Sequence, residues 1–366
     1  MILPQPIEGV MDIPFYRGGK SHLSDRKLVT KLSSNEGALG PSPNAVLAYE
    51  RSASALSQYP DGSAMVLKEA IAEVNSIDVK NIICGAGSDE ILCLICRAFA
   101  GQGDEIIHTS HGFLMYSIYA RSVGATPISV PEEHLRADVD SIISCVSPST
   151  KIVFLANPNN PTGTMLPVSE IYRLRAGLRD DILLVIDGAY AEYLSADFNL
   201  GLLDIVHKFP NMIMTRTFSK IHSLASLRVG WAFGAERLIQ ILERLRSPFN
   251  INSAAIAAAA ASMRDVQHIH NAKIHNDTCR QRIINELQSL GLEVLASSGN
   301  FVLPKFSGEP GRTAADADKH FLKSGIIVRR VENYGLPMHL RITIGTNEQM
   351  ERVLISLGDF VDGSCG

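Results

Sequence analysis

The stretch MIMTRTFSKIHSLASLRVGW, residues 212–231, joins an apolar run to a cluster of ionisable side chains. Residues 212–218 read as a buried strand, and Lys220 follows two positions after its end. His222 and Arg228 come soon afterwards. Taken alone, the segment fits a surface loop as well as a functional site. The residues that follow the other apolar runs therefore decide how Lys220 is interpreted.

Strand-like runs alternate with helical stretches from about residue 64 to residue 270. The predicted strands are NIICG (81–85), EIIHT (105–109), TPISV (126–130), KIVFLA (151–156), ILLVID (182–187), MIMTRTF (212–218) and RVGWAFG (228–234). Helices are predicted at 65–74, 89–100 and 168–178. Continuous apolar strands that alternate with helices indicate a mainly parallel sheet covered on both faces. In such sheets, ligands bind at the carboxyl ends of the strands.

The pattern changes near residue 275. A predicted helix, Asp277–Leu290, leads into a strand-helix-strand arrangement that ends in GIIVRR and HLRITIG. A length of 366 residues suggests about two domains. We therefore predict an N-terminal arm over residues 1–30, a large domain over 31–274 and a small α+β domain over 275–366.

The composition narrows the class of protein. With 46% apolar and 20% charged residues, a net charge of −4 and no block of Lys and Arg, the chain gives no indication of binding nucleic acid or anionic membranes. The longest apolar run, residues 91–100, contains an arginine and is shorter than the roughly 20 residues of a membrane span. The start, MILPQPIEGV, lacks the pattern of a signal peptide. We expect a cytoplasmic protein.

Two of the six cysteines, Cys93 and Cys96, have the C-x-x-C spacing of some metal and redox sites. They lie inside an apolar helical pattern and have no second ligand pair. This context favours buried thiols, so we predict no metal site.

Polar residues follow several of the predicted strands. Asp187 ends ILLVID, where a buried carboxylate needs a partner. The turn NPNNPTG (157–163) follows KIVFLA, and GAGSDE (85–90) opens a helix whose N-terminus favours an anion. We expect Ser88 to cap that helix. An amine, a carboxylate, side-chain amides, an arginine and an anion site should therefore share one edge of the sheet.

In the order and spacing of these residues and motifs, the chain resembles the fold-type I pyridoxal-phosphate aminotransferases, and within them the histidinol-phosphate aminotransferase family. The resemblance covers nearly the whole sequence. It implies an α/β fold with a large cofactor-binding domain and a smaller C-terminal domain, pyridoxal 5'-phosphate as cofactor, and a homodimer with shared active sites. The segments that carry it are LSSNEGALGPSP, QYPDG, GAGSDEI, NPNNPTG, DGAY, TFSKIHSLASLRVGW, PFNIN, NFV, IIVRR and HLRITIGT.

The resemblance implies roles for the residues at the strand ends. Lys220 matches the catalytic lysine, which bonds covalently to the cofactor and moves a proton. Asp187 matches the acid that pairs with the pyridine nitrogen. Asn160 and Tyr190 match the pair that bonds the phenolic oxygen. The other implied cofactor residues are Gly87, Ser88, Asp89, Ser219 and Arg228 around the phosphate, Phe113 stacked on the ring, and Tyr59, which reaches the phosphate of the neighbouring subunit.

The resemblance also implies a substrate-binding set, Asn35, Tyr16, Arg329 and Arg341. Arg341 matches the residue that binds an α-carboxylate. Arg329 and Tyr16 fall where the family recognises a phosphate or a second anionic group. Two other interpretations stay open: Tyr16 as a packing residue of the arm, and Arg329 with Arg330 as a solvated pair.

The chain departs from the family pattern at three places. Gly188 stands where glutamate is common, Ser223 and Ser226 stand where glycine is common, and His111-Gly112 stands where Pro-Thr is common. None of these positions has a direct chemical role. The departures therefore bear on cofactor affinity and rate rather than on the fold.

The implied reaction is transamination of histidinol phosphate with 2-oxoglutarate, which gives imidazole-acetol phosphate and glutamate by a ping-pong route. An aromatic or broad-range aminotransferase and a phosphothreonine-type decarboxylase share most of these motifs. The segment RRVENYGLPMHLRITIGT, residues 329–346, favours the first activity. A ligand sensor fused to a DNA-binding module is disfavoured, because the recognisable fold begins within the first 35 residues.

Overall fold

A computed structural model of the chain describes residues 4–7, 9–15, 18–22 and 29–363. The strands are β1 Thr30–Lys31, β2 Ile82–Gly85, β3 Glu105–Thr109, β4 Thr126–Val130, β5 Glu132–Glu133, β6 Arg136–Ala137, β7 Thr150–Ala156, β8 Leu183–Asp187, β9 Met212–Thr217, β10 Gly230–Gly234, β11 Glu293–Val294, β12 Phe301–Val302, β13 Pro304–Lys305, β14 Ile326–Ile327, β15 Arg329–Arg330 and β16 Leu340–Thr343. The helices are α1 Pro43–Ser52, α2 Met65–Asn75, α3 Ser88–Phe99, α4 Met115–Ser122, α5 Val139–Ser144, α6 Val168–Gly177, α7 Ala196–Lys208, α8 Glu236–Leu245, α9 Ser253–Arg264, α10 Val266–Ser289, α11 Ala314–Lys323 and α12 Asn347–Val361.

A seven-stranded sheet forms the centre of the molecule, in the order β2-β10-β9-β8-β7-β3-β4. Strand β10 runs antiparallel to both of its neighbours, and the other pairs are parallel. The prediction of a mainly parallel sheet is confirmed. Each predicted strand of this sheet lies within two residues of the observed one, because a strand buried on both faces is a continuous apolar run.

Helices cover both faces of this sheet. Successive residues of a strand point to opposite faces, and along β8 Leu184 and Ile186 join one apolar cluster while Leu183 and Val185 join another. The parallel strands β7, β8 and β9 end side by side, with Ala156 paired with Asp187. Their carboxyl ends therefore form one edge of the sheet.

The C-terminal part has its own sheet and core. Strands β12, β16 and β15 are antiparallel, and α10, α11 and α12 pack in the same apolar cluster. Strand β1 pairs with β14, and Leu32 packs into this C-terminal cluster. Residues 30–32, which precede the central sheet in sequence, are thus attached to the C-terminal part. The division of the chain into three parts remains a prediction.

Two local expectations were wrong. Helix α10 begins at Val266 rather than at Asp277, because the Asp265 side chain caps it by accepting a hydrogen bond from His268 N at 3.2 Å. The predicted boundary at residue 275 therefore falls inside a helix. The cap of α3 is Gly87, with φ +83°, and Ser88 is the first helical residue. None of the helices in the described ranges is long and apolar enough to cross a membrane.

Candidate active site

A cavity of about 270 Å³ lies at the carboxyl ends of β7, β8 and β9. The last residue of each strand, Ala156, Asp187 and Thr217, lines it. The fold therefore brings together most of the residues singled out in the sequence. Those that line the cavity are Asn35, Ser88, Asp89, Phe113, Asn160, Asp187, Tyr190, Ser219, Lys220, Arg228, Arg329 and Arg341.

Lys220 reaches the cavity three residues after β9 ends. Its Nζ donates a hydrogen bond to Ser34 O at 3.3 Å, and its carbonyl accepts one from Ser223 N at 2.9 Å. Burial, followed by the positive charge of Arg341, lowers the pKa of Lys220 to about 8. An amine with this pKa is partly neutral near pH 7, which suits a nucleophile and a proton carrier.

Asp187 lies at the floor of the cavity and is only 5% exposed. Its carboxylate accepts hydrogen bonds from Tyr116 Oη at 2.7 Å and from Ala189 N at 3.2 Å. Burial raises the pKa of Asp187, and the hydrogen bond from Tyr116 opposes that rise. The sequence analysis missed Tyr116. It lies inside α4 and stacks on Phe154, so it has the local pattern of a core residue.

A buried hydrogen-bond network joins distant segments beside the cavity. Asn35 Nδ2 donates to Tyr190 Oη at 2.8 Å, and Asn35 N donates to Thr343 Oγ1 at 3.0 Å. Asn300 Nδ2 donates to Asn35 O at 3.0 Å. Burial raises the pKa of Tyr190, whereas Arg341 lowers it. Asn35 thus ties the exit of β8 to strand β16.

The N-terminus of α3 forms an anion-binding corner together with Arg228. The Arg228 guanidinium donates to Ser219 Oγ at 3.2 Å and to Asp89 Oδ2 at 3.1 Å. A Cβ at Gly87 would lie 2.6 Å from Arg228 Nη2, and one at Gly230 would lie 2.4 Å from Ser88 N. Only glycine allows these approaches. A guanidinium, a hydroxyl and helical N–H groups in one corner match the chemistry of a phosphate.

Two arginines lie opposite each other on paired strands. Arg329 on β15 is in register with Arg341 on β16, and both are buried. Arg341 donates to Ser33 O at 2.8 Å and to Asn160 Oδ1. Like charges directly opposite each other on adjacent strands are unfavourable. An anion in the cavity would offset this repulsion.

Two of the predicted residues that the structure describes, Tyr59 and Gly87, do not line this cavity. Tyr59 is 82% exposed and stacks on Phe249 with ring centroids 4.7 Å apart. Tyr16 lies outside the described residues. Gly87 does not line the cavity but borders it through Arg228. The sequence analysis also missed Tyr334, which lines the cavity from the loop between β15 and β16.

The departures from the family pattern have local contacts of their own. Arg216, beside Gly188, pairs with Glu192 at 3.3 Å. His111 Nδ1 lies 3.0 Å from Glu132 Oε2. Ser223 has a φ of +57°, the left-handed region that favours glycine.

Comparisons with known proteins agree with this fold. The family model for aminotransferase class I and II matches residues 27–357. The histidinol-phosphate aminotransferase of Rhodospirillum rubrum is 50% identical over 363 residues, 99% of this chain and 98% of that protein. The enzyme of the same name from Paramagnetospirillum magneticum is 48% identical over 361 residues, 99% of both chains.

The solved histidinol-phosphate aminotransferase of Sinorhizobium meliloti, in complex with pyridoxal-5'-phosphate, has a TM-score of 0.87 and 27% identity and covers 93% of each chain. The architecture is therefore that of a fold-type I aminotransferase. The chain belongs to the class I and II aminotransferases, and within them to the histidinol-phosphate aminotransferase family.

Proposed function

We propose that the chain transfers the amino group of histidinol phosphate to 2-oxoglutarate, giving imidazole-acetol phosphate and glutamate in histidine biosynthesis, with pyridoxal 5'-phosphate as cofactor. One observation carries the proposal: a single cavity combines an amine of lowered pKa, a buried carboxylate and two buried arginines. Near 50% identity to relatives of this name, over 99% of the chain, supports the same reaction.

The donor set of the cavity fits the cofactor. Asp187 would hold the ring nitrogen, and Asn160 and Tyr190 would hold the phenolic oxygen. Arg228 and Ser219, with backbone N–H groups of residues 87–89, would hold the phosphate, and Phe113 would cover one face of the ring. Pyridoxal phosphate supplies an electrophilic carbon and an electron-withdrawing ring that acidify the hydrogen on the substrate's amine-bearing carbon.

Lys220 performs the proton chemistry in this proposal. Its lowered pKa lets Nζ accept a proton from the substrate carbon and return it elsewhere without a large free-energy cost. The hydrogen bond from Ser223 N to Lys220 O holds the turn that aims the side chain. Burial first, and then the positive charge of Arg341, lower the pKa of Lys220, so the arginine that would bind substrate also helps to tune the base.

Asp187 would act by pairing with the ring nitrogen of the cofactor and keeping that nitrogen protonated. Burial, followed by the negative charge of Asp89, raises the pKa of Asp187, and a cation bonded to it would favour the ionised carboxylate again. Tyr116 fixes the carboxylate by donating to Oδ2, so the acid cannot rotate away. The catalytic residues of the proposal are thus Lys220, Asp187 and Tyr190, with Tyr116 as a positioning residue.

The two buried arginines account for both substrates. Guanidinium groups form paired hydrogen bonds with phosphate and with carboxylate. Arg341 and Arg329, with Tyr16 from the arm of a second subunit, would bind the phosphate of histidinol phosphate in one half-reaction, and Asn35 would complete the substrate-binding set. The same arginines would bind the carboxylates of glutamate in the other.

We also propose a cytoplasmic homodimer in which Tyr59 completes the site of the neighbouring subunit. Large apolar side chains are exposed around this residue, including Leu56 and Phe249. Their exposure fits a surface that a second copy covers.

A panel of amino donors tests the proposed reaction. Histidinol phosphate, phenylalanine and phosphothreonine are each incubated with 2-oxoglutarate, and glutamate, the keto product and released carbon dioxide are measured. Histidinol phosphate should give the highest kcat/KM and no carbon dioxide. A preference for phenylalanine would make the protein an aromatic aminotransferase, and carbon dioxide from phosphothreonine would make it a decarboxylase.

A further inference from the structure

Three aromatic side chains of the described residues line the cavity: Phe113, Tyr190 and Tyr334. The first two have proposed roles at the cofactor. Tyr334 has none, although it is 96% buried and borders the space that a substrate must enter.

Tyr334 enters the cavity from the same strand pair as the two arginines. It ends a short 3-10 turn, Glu332–Tyr334, within the loop that connects β15 to β16. Arg329 precedes this loop and Arg341 follows it, and all three side chains line the cavity. Its ring is therefore part of the same wall as the groups that would bind the anionic parts of a substrate.

Packing fixes the position of this ring. Tyr334 belongs to an apolar cluster with Leu303, Val331 and Leu336, and Leu114 and Leu135 pack against this cluster. Its amide donates to the Val331 carbonyl at 3.0 Å. Because this packing holds the ring in place, the ring is presented to a ligand with little further ordering cost.

The turn that carries Tyr334 lies against the His111 side chain. Gly335 has a φ of +76°, and a Cβ at this position would lie 3.7 Å from the His111 Nε2. His111 is in turn held by Glu132, at 3.0 Å. The His111-Gly112 departure from the family pattern thus lies against the turn that carries Tyr334.

We infer that Tyr334 is the specificity-determining residue for the side-chain ring of the amino donor, which packs against the Tyr334 ring while the arginines bind the anionic group. This inference rests on the proposed function for the identity of that ring, the imidazole of histidinol phosphate. Aromatic rings attract one another through offset or edge-to-face contacts, beyond the apolar area that they bury. Glutamate has no ring, so its half-reaction does not use this contact.

The test compares half-reactions, in which the purified holoenzyme is mixed with one donor and the absorbance change of the cofactor is followed. The ring-bearing donors are histidinol phosphate and phenylalanine, and the ringless donors are glutamate and leucine. The variants are Tyr334→Leu, Tyr334→Phe and the control Leu336→Ala, which removes a neighbour from the same cluster that does not line the cavity.

Tyr334→Leu should lower the apparent second-order rate constant for both ring-bearing donors roughly tenfold, mainly by raising the donor concentration at which the half-reaction saturates. The rate constants for the ringless donors should change less than threefold. Tyr334→Phe should stay within about threefold of wild type for all four donors, since the ring is kept. Leu336→Ala should affect all donors to a similar extent.

Equal losses for all donors in Tyr334→Leu would overturn the inference, because they would mark Tyr334 as purely structural. A loss in Tyr334→Phe as large as in Tyr334→Leu would also overturn it, since the hydroxyl would then be responsible. A wild-type enzyme that ignores histidinol phosphate would refute the proposed function alone. The comparison of phenylalanine with leucine would still test Tyr334.

Discussion

Lys220 shows how a single position acquires its chemistry from its surroundings. A lysine near a strand end is ordinary in sequence, but here burial and the charge of Arg341 both disfavour the ammonium form. The resulting pKa of about 8 makes the amine a better base and nucleophile near neutrality than an exposed lysine. Burying this amine near a positive charge costs free energy, and the stability of the rest of the fold offsets that cost.

The reactivity of Lys220 should therefore change with pH near 8 in the cofactor-free protein. Below about pH 8 the amine is mostly protonated and reacts slowly, and above it the mostly neutral amine reacts faster. Labelling with cyanate, followed by peptide mass spectrometry, should give a Lys220 rate that rises with pH and levels off above about 8. In Arg341→Gln the inflection should move to higher pH, because a charge that lowers the pKa is removed. An inflection that does not move would contradict the role of Arg341.

Ser223 is a strained residue in the turn that carries Lys220. It has a φ of +57°, and its buried Oγ has no hydrogen-bond partner within the described part of the chain. Ser223→Gly should remove a left-handed strain of about 1–2 kcal/mol, less the extra chain entropy of glycine. We expect the midpoint of thermal unfolding to rise by about 1–2 °C.

Ser226→Gly is the matched control. Ser226 also stands where the family commonly has glycine, but it is exposed and has no positive φ. Glycine there should leave stability unchanged or lower it slightly. Equal stabilisation by both substitutions would show that backbone strain is not the cause.

At the scale of helices and strands, the sequence predicted the elements whose positions depend on a local pattern of apolar residues. The strands that end at Ala156, Asp187 and Thr217 are continuous apolar runs, and parallel pairing then brings their exits to one edge. The start of α10 was missed because residues 266–276 are mostly polar and carry little apolar periodicity. Tyr116 was missed because a tyrosine on the buried face of a helix has the same local pattern with or without a carboxylate above it.

The paired strands β15 and β16 should discriminate donors by their anionic groups. A hydrogen bond to a charged group contributes about 1.5–3 kcal/mol, so Arg329→Ala should lower kcat/KM roughly 10–150-fold for histidinol phosphate and glutamate. Phenylalanine has only one carboxylate, which Arg341 would bind, so its loss should be mild. The measurement is kcat/KM for the three donors in wild type and variant.

Arg330→Ala provides the control on the same strand. Arg330 pairs with Glu332 and its side chain is 39% exposed. All three donors should keep near wild-type kcat/KM in this variant. If Arg329→Ala lowered the three donors equally, Arg329 would be a structural residue.

At the scale of the whole molecule, the cavity lies where two cores meet. Asn35 connects the β8 exit to β16, and Leu32 packs with the C-terminal cluster although the central sheet follows it in sequence. The hydrogen bonds of Asn35 join residues 155 positions apart, to Tyr190, and 308 positions apart, to Thr343. Local periodicity contains no record of such pairings, so family resemblance alone brought Asn35, Arg329 and Arg341 to the predicted site.

The remaining question at this scale is whether one chain forms a whole site. Tyr59 is exposed and lines no part of the cavity in its own chain, whereas the resemblance gives it a role at the phosphate. A homodimer reconciles the two, because the Tyr59 of each subunit would serve the other. Tyr59→Phe should then raise the Kd of the cofactor, and Lys220→Ala should abolish turnover with the fold intact.

Mixing the Tyr59→Phe variant, which should bind the cofactor more weakly, with the inactive Lys220→Ala variant tests the shared site directly. In a heterodimer of Tyr59→Phe and Lys220→Ala subunits, both defects fall in one composite site and the other site is intact. Activity at limiting cofactor should therefore rise above that of either parent after subunit exchange, towards one normal site per dimer. If each chain used its own Tyr59, neither site of the heterodimer would be intact and mixing would give no gain. A sedimentation mass of about one 39.8 kDa chain would contradict the shared site outright.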